Sequence, residues 1–325
     1  MICVPNSDQQ IWNKDNVILD IIAQVITRPP RIDITLNDEG PCAQSLGLYT
    51  LLDNICQRHN YPGENIYIHT CNLVETHTKY NIVCKPQTKY LDVARTVATP
   101  TTQKKFDSKF KHFGNFIGHG NRLRLRTASY LYQNYQSKTT QTYHCDVQSQ
   151  YHRPFFGLED LMFYKYSSAD VQSGVDLINH APLTIDTIDE YPILSPATFN
   201  ITKVYPKFFV DIVNQTYYSG STFYIDEKIW RPILMKTPFI VQGPQNFITH
   251  FKRLGFKTFD TWWSEGYSED INDYQLKGII DIIDVLATLT VTQLESIYAE
   301  MAPVLEHNYQ LMLEIPDTDF LKCRN

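Results

Sequence analysis

The sequence has no apolar run near the 18 residues or so that a bilayer span needs, so no membrane span is expected. The first sixteen residues carry neither a basic cluster nor an apolar stretch, which argues against a secretory leader. No C-x-x-C pair occurs among Cys3, Cys42, Cys56, Cys71, Cys84, Cys145 and Cys323, and their number is odd. That pattern points away from a disulfide scaffold or a zinc site and toward reduced, mostly buried thiols in a cytoplasmic compartment. There is no P-loop and no G-x-G-x-x-G turn. Positive charge is not in excess: 29 Lys and Arg against 35 Asp and Glu leave a net charge of −6, unlike a dedicated nucleic-acid binder. Internal repeats and low-complexity tracts are also absent.

What the chain does have is globular. Hydrophobic residues make up 43% of its 325 residues, and 21 Tyr help to raise the aromatic share to 13%, enough for sizeable cores in one or two domains. Charge is distributed unevenly. Seven basic residues (Lys104, Lys105, Lys109, Lys111, Arg122, Arg124, Arg126) face only Asp107 between positions 101 and 126. Between 260 and 300 nine acids face only Lys277. A basic segment in an acidic protein suggests a local anionic ligand.

The β-branched run Arg31–Leu36 reads as a strand, Ala43–Arg58 as a helix with Leu46, Leu48, Leu51, Leu52 and Ile55 in phase, and Asn65–Thr70 as a second strand. Strand–helix–strand predicts a parallel α/β layer. Polar Thr96–Gln103 with Pro100 reads as a linker. His112–Gly120, then Leu123–Tyr135, reads as strand, glycine turn and helix. Phe208–Asn214 reads as a strand or a short helix, and further strands are expected at Thr222–Ile225, Phe239–Gln242 and Lys257–Phe259. Helices are expected at Glu227–Met235, interrupted by Pro232, at Phe247–Leu254, and in the tail at Ile271–Leu286 and Thr292–Leu313. Thr292-Gln293-Leu294-Glu295 fits a capping box.

The chemistry concentrates where Thr222–Ile225 runs into Asp226-Glu227-Lys228. A strand that opens directly into a helix presents free N–H groups and partial positive charge, a site for phosphate. Lys228 adds a full charge there, Glu227 could accept from a ribose diol, and Tyr224 could flank a base. Gly243-Pro244, after the next strand, approaches the same crevice. The plainer alternative is that Asp226 and Glu227 are ordinary helix-start acids and Lys228 a solvated charge.

The run from Tyr224 through Glu227-Lys228, Trp230, Pro232 and Pro238-Phe239 to Gly243 resembles the donor-binding half of α1,3-fucosyltransferases and related viral and bacterial glycosyltransferases. Leu254–Phe259 (LGFKTF) with Trp263, Glu265 and Tyr267 resembles the ending of that half. Phe116-Ile117-Gly118-His119-Gly120-Asn121 with Arg124 and Arg126 resembles its upstream element. Together these span about 113–275. The departures are Gln215 in place of an acid, Asp226 in place of Thr, Ser268 in place of Asp and His119 in place of Arg.

The resemblance implies an α/β fold of GT-B type, two Rossmann-like domains facing a cleft and closed by C-terminal helices. Residues 1–104 would form the acceptor-side domain and 105–325 the donor-binding domain. It implies a nucleotide sugar (GDP- or UDP-linked) as co-substrate and a glycan or small hydroxyl acceptor. Donor-binding residues would be Gly118, Asn121, Arg124, Arg126, Tyr224, Glu227 and Lys228. Of the basic cluster, Arg126 is favoured for the phosphates and Arg124 follows. No cofactor or metal is expected to be required. The only Asp-x-Asp, Asp317-Thr318-Asp319, falls in the tail after Pro316 and reads as solvated. The general base is expected from the first domain, from Asp38, Glu39 or Glu75. His69, His77 and His119 are weaker candidates, and Trp262 and Trp263 read as core more than as sugar platforms. Two other functions stay open: glycosylation of a modified DNA base, and non-catalytic sugar or nucleotide binding. A viral origin would place the protein in the host cytoplasm.

Overall fold

Two four-stranded parallel sheets organise the chain in the computed structural model, an α/β architecture compatible with a Rossmann-like fold. The structure describes residues 2–3, 15–36, 39–96, 103–118, 120–143, 156–183, 185, 196–218 and 220–324. Asp38, His119 and most of the expected linker lie outside these residues. Among the described residues no helix is long and apolar enough to cross a membrane.

The first sheet takes β1 (Ile2–Cys3), β2 (Ile32–Thr35), β3 (Ile66–Thr70) and β4 (Asn81–Cys84) in the order β1-β2-β3-β4. Helices α1 (Asp15–Thr27) and α2 (Leu48–His59) supply its first two crossovers. Each strand lies beyond the previous one in the same direction, so right-handed crossovers put both helices on one face. Burial alternates accordingly. Ile32, Ile34, Ile66 and Ile68 are fully buried, while Asp33, Tyr67 and His69 on the other face are not. Helix α2 starts five residues later than the periodicity predicts. Gly47 at φ 76° turns the chain out of helix, and its residues 43–47 form turns.

The second sheet takes β5 (Lys111–Ile117), β6 (Thr139–Tyr143), β7 (Phe208–Asn214) and β8 (Phe239–Gln242) in the order β6-β5-β7-β8. Between α1–α2 and this sheet comes α3 (Lys89–Thr96), which packs against the second half through Tyr90, Leu91 and Ala94. The remaining helices are α4 (Arg122–Tyr135), α5 (Phe156–Phe163), α6 (Ser168–His180), α7 (Glu227–Leu234), α8 (Phe247–Arg253), α9 (Asn272–Ala287) and α10 (Val291–Glu314). Here the chain leaves β5 in one direction, to β6, and then crosses to β7 on the other side. Helices therefore cover both faces, and every residue of β7 and β8 is buried.

Two expected strands are not strands. Thr222–Ile225 is extended but joins no sheet. Its Phe223 N–H donates instead to Asn72 Oδ1 (2.9 Å), and its carbonyl accepts from Leu73 N–H (2.9 Å) in the first half. Around Lys257 the ladder is replaced by one side chain. Asn308 accepts from Lys257 N–H (2.8 Å) and donates to its carbonyl (2.8 Å). The capping box also shifts: Thr290, not Thr292, caps α10, with Gln293 returning the bond.

Candidate functional site at the switch point of the second sheet

In an open parallel sheet, a crevice forms outside the strand C-termini where successive crossovers diverge. The second sheet has one such point, between β5 and β7. Its rim is made by the turn after β5, the loop after β7 and the start of α7. These segments contain Gly118, Asn121, Arg124, Tyr224, Glu227 and Lys228, so the topology gathers six of the seven expected donor residues.

Gly120 lies against Tyr143, where a Cβ would meet the phenol oxygen at 2.5 Å. Asn121 caps α4 by accepting from Arg124 N–H (2.9 Å). Arg124, buried, points across the crevice. Its Nη2 donates to the carbonyls of Gln215 (2.6 Å) and Asn214 (3.3 Å), and its Nε to Tyr218 Oη (3.2 Å). Arg126 does not join it. Two residues along a helix are about 200° apart, and Arg126 pairs with Asp273 (2.6 Å) and Asp170 (3.1 Å) while stacking on Tyr166. The preference for Arg126 is therefore reversed: Arg124 is the arginine at the crevice.

Asp226, Glu227 and Lys228 form a compact ionic cluster. Lys228 Nζ reaches Asp226 Oδ2 (2.7 Å) and Glu227 Oε1 (2.9 Å). Asp226 caps α7 by accepting from Lys228 N–H (3.0 Å), so a carboxylate already occupies the helix N-terminus. The expected free amides are thus partly spent within the chain, and the cationic pole rests on side chains. Burial and the neighbouring Glu227 push the Asp226 carboxyl up, while Lys228 opposes them. Burial would also raise Glu227, but Lys228 and Arg231 outweigh it and hold Glu227 below its ordinary value. For Lys228 the two carboxylates overcome burial and hold the ammonium charged. Arg231, one turn beyond Glu227 and buried, also acts electrostatically on Asp211 within β7. Its i+4 spacing from Glu227 was readable in the sequence.

Gln215 stands next to this cluster, its Nε2 3.5 Å from Asp226 Oδ1. Four buried polar atoms on these strand ends and this loop have no hydrogen-bond partner among the described residues: Thr222 Oγ1, Tyr224 Oη, Asn214 Oδ1 and Gln242 Nε2. Such orphans are uncommon in native interiors.

The first half closes over the same place. The Glu39 carboxylate acts electrostatically on Tyr90, Tyr224, Asp226 and Lys228. Asn72 bridges the halves, donating to the Ser221 carbonyl (2.8 Å) and accepting from Phe223 N–H. Gly40, at φ +63°, rests on the Asn72 backbone. Gly220, at φ +76°, leaves no room for a Cβ beside Ser45 and Cys42. Asn72 carried no sequence signal, because its partners lie about 150 positions away.

Glu75 is buried below this seam. It accepts from Tyr49 Oη (2.6 Å), Asn72 Nδ2 (2.8 Å) and Ala43 N–H (3.1 Å), and burial raises its carboxyl despite these bonds. Of the histidines named as weaker base candidates, His69 and His77 have partners. His69 Nε2 pairs with Asp33 (2.6 Å), whose carboxyl Arg31 and His69 hold at about 2. His77 Nδ1 accepts from Lys79 N–H and Tyr80 N–H. In the tail motif, Glu265 ties Thr258 to Phe259 N–H, and Tyr267 Oη accepts from Val241 N–H of β8. Trp263 packs on Phe259, and Trp262 Nε1 donates to Glu300 (3.3 Å). No group of three or more metal-ligating side chains occurs among the described residues, and Asp319 in the tail pairs with Lys322.

Compared with protein-family models, with curated proteins and with solved structures, the chain matches none.

Proposed function

We propose that the chain is a glycosyltransferase of GT-B type that takes a sugar from a nucleoside diphosphate to a hydroxyl acceptor. The observation that carries this reading is the meeting of Lys228, Arg124 and Glu227 at the switch point with Glu39 from the opposite half. Cationic side chains at that crevice suit a departing diphosphate, and Glu227 beside them suits a ribose. The motif resemblance of residues 113–275 favours the same assignment.

In the reaction the acceptor oxygen forms a bond to the anomeric carbon. The bond from that carbon to the phosphate oxygen breaks, and the diphosphate leaves with the electron pair. Lys228 and Arg124 balance its charge. The acceptor proton passes to a carboxylate of the first half. Glu75 suits this role, because it lies at the seam, bonded to the Asn72 that holds the α7 loop, and burial raises its carboxyl above the ordinary value. Glu39 stands closer to the cationic pole and suits positioning of the donor.

Modification of DNA fits the structure less well. Of the basic run, Lys104 is buried against three oxygens, Arg124 is buried, Arg126 is ion-paired and Lys111 bonds the Ser137 carbonyl. These charges do not form one surface for a phosphate backbone.

A thermal-shift panel of GDP, UDP, CDP and dTDP with their common sugars tests the reading. One nucleotide should stabilise the protein by about 2.7 kcal/mol at 100 times its Kd. An Arg124→Gln change should weaken that binding, and the sugar-linked form should then be turned over. No shift with any nucleotide refutes the proposal. Binding without turnover leaves the non-catalytic function.

A further inference from the structure

Helix α1 is apolar on every side. From Val17 to Thr27 only Asp20, Gln24 and Thr27 interrupt a run of hydrophobic residues. A helix that is hydrophobic all round is normally covered all round. Here the chain's own core takes one side. Val17, Ile21 and Val25, spaced four apart, are buried in one cluster with Ile32, Ile34 and Leu52. On the opposite side Leu19 and Ile26 are 60% and 59% exposed, and Ala23 between them is exposed as well. At about 100° per residue these three fall in one stripe, with the half-buried Ile22 along its edge.

We propose that this stripe is the interface of a homodimer, in which α1 packs antiparallel against α1 of a second copy. The first argument is symmetry. A two-fold axis between positions 22 and 23 sets Leu19 on the partner's Ile26, and Ile26 on the partner's Leu19. Ala23 falls beside the axis, where a short side chain lets the two helices approach closely. The stripe is thus self-complementary, and such a contact closes at two copies.

The second argument is charge. Asp20 is exposed beside the stripe, toward the start of α1. Arg28 is exposed just past its end, held there by a bond from its Nη2 to the His59 carbonyl (3.1 Å). About that axis Asp20 lies three residues of rise, about 4.5 Å, from the level of the partner's Arg28. A guanidinium spans that distance. A parallel pair would set Asp20 level with Asp20 and Arg28 level with Arg28, so repulsion selects the antiparallel arrangement.

The apolar cluster that α1 joins contains residues of the first half alone, so the dimer leaves the crevice of the second sheet untouched. Thirteen residues of helix run about 20 Å, and one such face is smaller than the roughly 800 Å² per partner of a standard interface. The dimer should therefore be concentration-dependent, with a dissociation constant in the micromolar range.

Sedimentation velocity of the full chain, from about 1 to 500 µM, tests this. The mass should rise from 37.8 kDa toward twice that value. Leu19→Lys with Ile26→Lys should weaken association ten-fold or more and leave melting unchanged, because both side chains are exposed. Asp20→Arg and Arg28→Glu should each weaken it, and the two together should restore it. Oxidation with diamide gives a readout that does not depend on these charges. Positions 23 lie about 1.5 Å apart along the axis and positions 26 about 10.5 Å. Ala23→Cys should therefore cross-link two copies, while Ile26→Cys and the wild-type chain should not.

A monomer at every concentration overturns the proposal. So does a dimer that the paired lysine substitutions leave intact, because its interface is then elsewhere. A dimer that the charge swap fails to restore, or that cross-links through position 26 and not 23, overturns the antiparallel arrangement.

Discussion

Replacing Lys228 with Met would leave Asp226 and Glu227 without their shared cation. The two carboxylate side chains are only 2% and 11% exposed, and Lys228 itself 18%. Breaking a buried pair by removing one partner destabilises by about 3–5 kcal/mol. Partial exposure puts the expected loss near the lower end, about 3 kcal/mol at pH 7.5. With an unfolding entropy of about 2.1 cal/mol/K per residue over 325 residues, that lowers Tm by about 4 °C. The loss should depend on pH. Glu227 is held below its ordinary value of 4.5, so its pairing stabilises the fold above that pH and fades as pH falls through the folded value. Without Lys228 the carboxylates can take up protons at low pH, so the Tm deficit should shrink to about 1 °C at pH 5. Adding Glu227→Gln to the variant should recover part of the deficit at pH 7.5. Scanning calorimetry of the three proteins at both pH values measures this. A deficit equal at the two pH values, or none at pH 7.5, would refute the ionic reading of the cluster.

Other outcomes follow from particular contacts. Arg126→Gln should leave nucleotide affinity within about two-fold, while Arg124→Gln should weaken it ten-fold or more, about 1.4 kcal/mol by titration calorimetry. Gly220→Ala places a Cβ 2.0 Å from Ser45 Oγ at φ +76°, and should lower stability by more than 1 kcal/mol in urea titrations. Asn72→Ala leaves Phe223 N–H and the Ser221 carbonyl without their partner and should cost about 2–3 kcal/mol by the same measurement. Thr290→Ala should lose about 1 kcal/mol of cap energy and Thr292→Ala a few tenths at most, so chemical denaturation of the pair fixes which residue caps α10.

The elements that could be read directly were those whose partners are of the same kind. Phe239–Gln242 is an apolar run buried in the interior of a parallel sheet, and its composition marks it as a strand; Phe208–Asn214, read as strand or short helix, is a strand in the same sheet. Thr222–Ile225 has the same composition but pairs with Asn72 and Leu73, far away in the chain, and no local pattern distinguishes that from a ladder. At the site, the Glu227-Lys228 pair was legible as a helix start with charge. The choice of Arg124 over Arg126 was legible in principle from helical spacing, yet it became plain only when Asp170 and Asp273 appeared around Arg126.

By itself the sequence determined an α/β chain of parallel layers, with its chemistry concentrated at the turn into Asp226-Glu227-Lys228, because hydrophobic periodicity and helix-start residues are local signals. Only the tertiary structure decided that the second sheet, and not the first, carries the switch point, since strand order is not written in any single segment. It also decided that Asp226 caps α7 rather than leaving it open, and that Asn72 makes its contacts with the loop that leads into α7. These are contacts across 149 to 151 positions where the chain holds the two halves together, and their free energy depends on burial that exists only once both sheets have formed.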